Sequence, residues 1–583
     1  MIIRGGQVVD GTGAPAFAAD VRVTAGRISE VGPGLRPDGE TEVDASGAYV
    51  TPGFIDVHTH FDASLFWDQA CDPMPQHGVT SVLYGNCGMS LAPCLPPARQ
   101  ELAELLCYIE DMPTATVSAA VPWTWQRYPE YQDVMAAQHY GVNVAGLVGH
   151  TPLRMFVMGD EAWERPATDA ERVQLRALAD ECLAAGAFGV STSVGFDTDR
   201  ARRPVPSRSA SDAEMNDLIE LLGARGGFLQ FIAEPAPKRT PASVKRLAEM
   251  CGRHGVVSTW INVMHDEHLP QHASGLMEMT AQLQAEGSPC YAQISPRPLD
   301  IQVNWFGGMS FFTLPDTWHR MVQTETAEEK TRLLTDDAWR QAARAEWDRV
   351  PFSMIRHHMP HNIILRGVTR PEHGQWVNKS LADLVTAKGG HPSDVLADWV
   401  LANDLRPAVV GTNIANNDPD GVAELLRHPA GVIANSDAGA HLQMFCAAGD
   451  TTLLLARHTR DRHDLTVEQA VHRMTGHLAG LFGFEGRGVI TQGAVADLTV
   501  FALDELSWQP EVFVNDMPLD ARRLRRPPGG YRATIVAGVP SQLGGTLTEQ
   551  RPGRLLRRNG HDRRSLWRTS SRDLPRPGSD QRP

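Results

Sequence analysis

The chain has no C-x-x-C pair. Its eight cysteines lie scattered at Cys71, Cys87, Cys94, Cys107, Cys182, Cys251, Cys290 and Cys446. That spacing excludes a structural zinc knuckle and argues against a disulfide framework, leaving most of them as small buried hydrophobes. There is no apolar run near the roughly 18 residues that span a bilayer, so no membrane partner is expected. The start, Met1-Ile2-Ile3-Arg4-Gly5-Gly6, lacks the basic stretch and apolar core of a secretory leader, which predicts a cytoplasmic protein. Positive charge is also short. Lys and Arg number 54 against 69 Asp and Glu, a net charge of −15, and no nucleic-acid surface is implied. The deficit is uneven, because residues 551–583 hold ten arginines and three aspartates. This Arg/Pro-rich stretch has few apolar residues, and disorder is expected over 546–583.

What is present is the composition of a soluble globular protein, 42% hydrophobic and 21% charged over 583 residues, long enough for two or three units. Short strand-like segments separated by turn signals fill residues 1–50, and similar segments return over 486–545. A composite β-sandwich domain made from both chain ends is the economical reading. Between them, residues 51–485 alternate apolar runs with helical stretches. Eight runs read as core strands: 54–57, 80–84, 142–148, 188–192, 228–232, 256–263, 291–294 and 432–435. Apolar runs of that length between helices argue a parallel sheet buried on both faces, and eight of them predict an α/β fold, a (β/α)8 TIM barrel. One helix is marked by Thr168-Asp169-Ala170-Glu171 and continues through Val173, Leu175, Leu178, Cys182 and Leu183. The stretch 295–431 is too long for one crossover and reads as a mainly helical insertion over the barrel mouth.

The most informative residues are His58 and His60 in Gly53-Phe54-Ile55-Asp56-Val57-His58-Thr59-His60. Residues i and i+2 of a strand share a face, so both imidazoles project together from the end of a buried strand. Imidazole is the commonest metal ligand, and parallel α/β folds place their chemistry at that strand end. Other polar residues fall at the same rim: Asn86 and Cys87, His150 and Arg154, Gln230, Asn262 with His265, and Asp437 with His441. Asp437, just past the last apolar run, fits either a helix N-cap or a functional carboxylate. A carboxylate there has the chemistry to bind a divalent metal, take a proton from water and deliver it to a leaving nitrogen.

With these motifs the chain resembles the metal-dependent amidohydrolase superfamily, and most of all its N-acyl-D-amino-acid deacylase (D-aminoacylase) branch, related to hydantoinases and dihydropyrimidinases. The resemblance runs over about residues 1–540. It rests on the His58/His60 segment and on His77-Gly78-Val79-Thr80-Ser81-Val82 leading to Gly85-Asn86-Cys87-Gly88. Further marks are Gly149-His150-Thr151-Pro152-Leu153-Arg154, Ser436-Asp437-Ala438-Gly439-Ala440-His441 and the Gly493-Ala494-Val495-Ala496-Asp497-Leu498 turn.

The resemblance implies metal ligands at His58, His60 and Cys87, with Asp437 as a ligand and the catalytic acid–base. It also implies histidines on strands five and six, where this sequence carries Gln230 and Asn262. None of the five lysines (Lys238, Lys245, Lys330, Lys379, Lys388) falls in a core run, so a carbamylated bridging lysine is not expected. One divalent metal, zinc, is therefore favoured over two, with His265 as a candidate assistant. His150, Arg154 and Arg297 are candidate substrate ligands. His441 is expected to pack beside the centre, Trp123, Trp125, Tyr128 and Tyr131 to pack in the core or a lid, and His357, His358 and His361 to lie at the surface.

The implied activity is hydrolysis of a non-peptide C–N amide bond in a small-molecule substrate, with an N-acyl-D-amino acid leading. A homo-oligomeric state stays open. The alternatives are a cyclic-amide hydrolase of the hydantoinase or dihydropyrimidinase kind, and a degenerate barrel that serves as a binding protein.

Overall fold

The eight apolar runs form eight parallel strands in a computed structural model that describes residues 1–235, 237–261, 263–306, 314–433 and 436–558. They are β1 (Phe54–Asp56), β2 (Val79–Tyr84), β3 (Asn143–Gly146), β4 (Gly189–Ser193), β5 (Phe228–Ile232), β6 (Ser258–Ile261), β7 (Cys290–Ile294) and β8 (Gly431–Ile433). Only Ile261 and Tyr291 among their residues are less than fully buried, which is why most of the runs read as largely apolar. Register is parallel throughout, with β1 on β2, β2 on β3, and β4 to β8 in sequence. The expected 142–148 strand is interrupted at Leu147. Its continuation, Val148–Gly149, leaves β3 and pairs with β4, so one chain joins the two sheets. At the other seam, Thr59 forms a parallel bridge to Ala438, and the His60 amide donates to the Ala438 carbonyl at 2.7 Å. Asn262 and residues 434–435, which belonged to two of the expected strands, lie outside the described residues.

A nine-stranded sheet is built from both ends of the chain. Its seam is the antiparallel pair Tyr49–Pro52 and Leu498–Phe501, which registers Val50 on Val500. Ile3, Val21, Val50, Leu498, Val500 and Ile535 form its own core.

Three expectations need refinement. The 295–431 stretch holds five helices, in keeping with a mainly helical reading, and adds a four-stranded antiparallel sheet in the order Leu299–Gln302, Ala408–Ala415, Ile363–Gly367, Lys379–Ser380. Its core contains Trp318, Trp347 and Trp399 and also takes in Met444 and Phe445 from the loop after β8. The helix Pro419–Arg427 that follows is the ordinary crossover into β8. Second, the 546–583 stretch begins ordered. Leu555–Leu556 pairs in parallel with β3, the Val144 amide donates to Arg554 O, and the Arg558 amide donates to Gly186 O. A two-leucine strand among arginines is apolar enough because it finishes a sheet edge and needs no core of its own. Residues 559–583 lie outside the described residues. Third, His357 is fully buried, with Nδ1 on Ser353 Oγ and Nε2 on the Trp347 carbonyl, while His358 and His361 are exposed as expected.

The helix Asp169–Ala184 starts where its signals place it. Thr168 caps it and Glu171 returns to the Thr168 amide. Its buried face is Leu175, Leu178, Ala179, Cys182 and Leu183, and Val173 faces solvent. Trp125, Tyr128 and Tyr131 pack in the core.

Candidate active site

The end of β1 delivers His58 and His60, the loop after β2 delivers Cys87, and the loop after β8 delivers Asp437. His58 Nε2 lies 3.3 Å from His60 Nε2 and 3.3 Å from Cys87 Sγ, and His60 Nε2 lies 3.7 Å from Cys87 Sγ. Among the described residues this is the one group of three such side chains close enough to share a metal ion. Asp437 Oδ1 closes on the same imidazoles, 3.1 Å from His60 Nε2 and 3.5 Å from His58 Nε2. The histidines are buried, whereas the Asp437 side chain is 24% exposed and forms the open side. Cys87 and Asp437 both hold left-handed backbones, φ 59° and 65°. For side chains with a Cβ that conformation costs of order 1–3 kcal/mol, and it persists where the surroundings enforce it. Gly439 (φ +88°) lets the loop ride on His60, since a Cβ there would meet the His60 carbonyl at 2.8 Å.

Neighbouring side chains fix the donors. His58 Nδ1 pairs with Gln293 Oε1 at 2.6 Å, which leaves the Nε2 lone pair for the cluster. The Cys87 amide donates to Gln230 Oε1 at 2.7 Å. Glu110, just past the helix Arg99–Ile109, approaches His60 Nδ1 at 3.0 Å. His441 Nε2 lies 3.5 Å from Asp437 Oδ2, and its amide donates to the Glu110 carbonyl.

Electrostatics follow from this packing. Burial lowers His58 to about 4 against the pull of Asp437, keeping it the neutral imidazole a metal requires. Burial also opposes charge on His60, but Glu110 and Cys87 outweigh it and raise the group above its ordinary value. Burial pushes the Cys87 thiol up to about 12 against the pull of His60. For Asp437, burial raises the pKa, yet His60, His441 and His58 together hold the carboxyl well below the usual range.

The donor set fits zinc. Sulfur and two imidazole nitrogens are its preferred ligands, and bonds of about 2.0–2.3 Å to a tetrahedral ion separate ligands by about 3.3–3.6 Å. The observed spacings match that closely.

Other candidates lie elsewhere. His265 is held at Asn416 and 3.8 Å from Asp418, away from the cluster. His150 and Arg154 are fully buried and spent on one another's partner. His150 Nε2 is 2.8 Å and Arg154 Nη1 2.7 Å from Glu214 Oε1, and His150 Nδ1 meets Thr192. Glu214 thus holds both side chains in one buried ion-paired cluster. Arg297 flanks the centre, bonded through Nε to Asp450 and through Nη2 to the Ser436 carbonyl, its guanidinium over the Phe445 ring. Those contacts brace the loop that carries Asp437.

Glu110 and Gln293 were not singled out from the sequence. Glu110-Asp111 just past the helix Arg99–Ile109 was the available signal, because the macrodipole disfavours carboxylates at a helix C-terminus.

The amidohydrolase family model matches residues 41–542. An uncharacterised Mycobacterium tuberculosis protein is 31% identical over 94% of this chain and 91% of its own length. The D-aminoacylase of Alcaligenes xylosoxydans xylosoxydans is 28% identical over 96% of this chain and 97% of its own. The solved N-acyl-D-glutamate deacylase of Bordetella bronchiseptica, complexed with zinc and a phosphonate that mimics the tetrahedral intermediate, superposes with TM-score 0.64 at 25% identity, over 96% of this chain and 99% of that one. No helix among the described residues is long and apolar enough to cross a membrane. With a family match over most of its length and the donor cluster in place, the chain belongs to the amidohydrolase family.

Proposed function

We propose that this protein is a zinc-dependent deacylase that hydrolyses the amide bond of an N-acyl-D-amino acid, on a closed (β/α)8 barrel. The observation that carries the reading is the triangle of His58 Nε2, His60 Nε2 and Cys87 Sγ with the Asp437 carboxylate 3.1 Å from one corner. Three protein donors with an open side are the arrangement of a catalytic zinc site. The likeness to D-aminoacylase over nearly the full length of both chains supports the substrate class. The intact donor set speaks against a degenerate barrel.

A divalent cation held there supplies acidification of water and polarisation of the scissile carbonyl. Asp437, ionised and partly open to solvent, accepts a proton from the attacking water and returns it to the leaving nitrogen. His441 steadies its second oxygen. His58 and His60 are held rigid by Gln293 and Glu110. One ion is favoured over two. Gln230 stands on β5 where the family resemblance implies histidine, and among the described residues no lysine lies in the eight strands.

The test is zinc content on protein purified without added metal, together with amine release from N-acetyl-D-amino acids. One zinc per chain and turnover, both lost in His58→Ala/His60→Ala, is the expected result. No metal after reconstitution, or turnover of hydantoins with no acyclic amide accepted, overturns the reading.

A further inference from the structure

Two glutamines with fully buried side chains each hold a residue of the donor cluster, and their chemistry is one-sided. Gln230 Oε1 accepts from the Cys87 amide at 2.7 Å. A backbone N–H is only a donor, so the orientation of this amide is fixed: oxygen toward Cys87, NH2 away from it. Gln293 Oε1 pairs with His58 Nδ1 at 2.6 Å. His58 turns Nε2 toward Cys87 and His60, so its proton sits on Nδ1, and this amide is fixed in the same sense. Both NH2 groups, Gln230 Nε2 and Gln293 Nε2, are buried with no hydrogen-bond partner. Each sits one amide width from an atom that touches the cluster. Thr259 lies in register beside Gln230 on the neighbouring strand, hence on the same face, and its hydroxyl is likewise buried and unpartnered.

Unpartnered buried donors are destabilising unless something accepts from them. Amide NH2 groups repel a cation and cannot ligate one, so these residues do not fit a second metal ion. They fit an acceptor oxygen.

We propose that the NH2 groups of Gln230 and Gln293, with the Thr259 hydroxyl beside them, form a hydrogen-bond-donating receptor for a carboxylate or carbonyl oxygen adjoining the single cation. Resting on the deacylase reading, this gives the receptor two sources of the same chemistry. One is the carbonyl oxygen of the scissile amide, where negative charge develops as water adds; the other is the carboxylate of the released acid. In both cases the oxygen accepts two or three hydrogen bonds that replace the charge a second cation would supply.

The test is acetate binding to the zinc-loaded protein by calorimetry, on wild type, Gln230→Glu, Gln293→Glu and Thr259→Val, with zinc content measured on each. Gln→Glu keeps the shape and the oxygen that holds Cys87 or His58, and exchanges only the NH2. The expected result is one zinc per wild-type chain and a loss of about tenfold or more in acetate affinity in each glutamate variant. Thr259→Val is the smallest change and guards against a folding defect, and a smaller loss in the same direction is expected there. A glutamate variant that takes up a second zinc also supports the receptor, since it shows that the NH2 donors excluded the ion. Unchanged acetate affinity in all three variants at matched thermal stability overturns it, as does a wild-type chain that holds two zinc ions. Turnover separates the sources: a kcat loss with unchanged KM points to the carbonyl oxygen, whereas weaker acetate inhibition alone points to the released acid. Acetate binding is read without turnover, so a wild type that hydrolyses no N-acyl-D-amino acid refutes the deacylase reading and leaves the receptor to be judged on its own.

Discussion

His60 Nδ1 lies 3.0 Å from Glu110 Oε1, and both side chains are 1% exposed. With Asp437 at Nε2, this imidazole has a carboxylate at each nitrogen. The contact is an ion pair without hydrogen-bond alignment, and the Glu110 charge favours a proton on Nδ1, which leaves Nε2 as the ligand atom. Glu110→Gln keeps the shape and removes the charge. We expect zinc affinity to fall about 10- to 100-fold, read by chelator competition, with the fold unchanged by circular dichroism. Equal affinity in the variant would show that Glu110 only fills space.

Asp437 is the one cluster residue open to solvent, and the proposed mechanism gives it proton transfer more than metal retention. Asp437→Asn is expected to keep its zinc through His58, His60 and Cys87 and to lose at least about 100-fold in kcat, the lower end of what a positioned acid–base contributes. Loss of zinc in step with activity would instead make Asp437 chiefly a ligand.

Much of the fold was legible because double-sided burial writes strands as largely apolar runs, as in Val79–Tyr84 and Phe228–Ile232, broken only by Thr80, Ser81 and Gln230. The His58/His60 pair was legible because the strand repeat of two puts both on one face. What could not be read were partners brought from far along the chain. His150 and Arg154 sit at a strand end, as substrate ligands would, and only the structure brings Glu214 from the helix Asp212–Arg225 to neutralise them. Gln293 occupies its place through a contact spanning 235 residues. The sheet inside the insertion was masked by helices that outnumber its strands, and Leu555–Leu556 by the arginines around it.

The Glu214 cluster sets a pH dependence. Burial works to raise this carboxyl, but His150 and Arg154 outweigh it and lower it from 4.5 to about 2. A depressed folded-state value adds stability that is present above the unfolded value and is lost as pH falls through the folded one. The shift corresponds to about 3 kcal/mol for a side chain that is 1% exposed. Glu214→Gln is therefore expected to unfold at lower denaturant than wild type at pH 7, with the gap narrowing steadily between about pH 4.5 and pH 2. A gap independent of pH over that window would mean that the cluster stabilises through packing alone.

The C-terminal segment should stabilise the parallel sheet from outside. Leu555 and Leu556 extend it past β3, Gly553 exchanges backbone bonds with Tyr140, and the Arg558 amide reaches Gly186 while its guanidinium bonds the Phe482 carbonyl. These contacts tie β3 to the segment before β4, the place where the third strand breaks and its continuation changes partner. A chain ended after Arg558 keeps all of them, and one ended after Gln550 loses all. At about 1 kcal/mol for each hydrogen bond, the shorter chain forfeits about 3–5 kcal/mol. We expect its thermal midpoint to lie about 3–4 °C below that of the longer chain. Hydrogen exchange should quicken first at Val144 and Phe188, whose amides bond across this seam to Arg554 and Gly146. Equal midpoints for the two chains would show that β3 and β4 hold together without the added strand, through the Val148–Gly149 pairing and the apolar side chains beneath it.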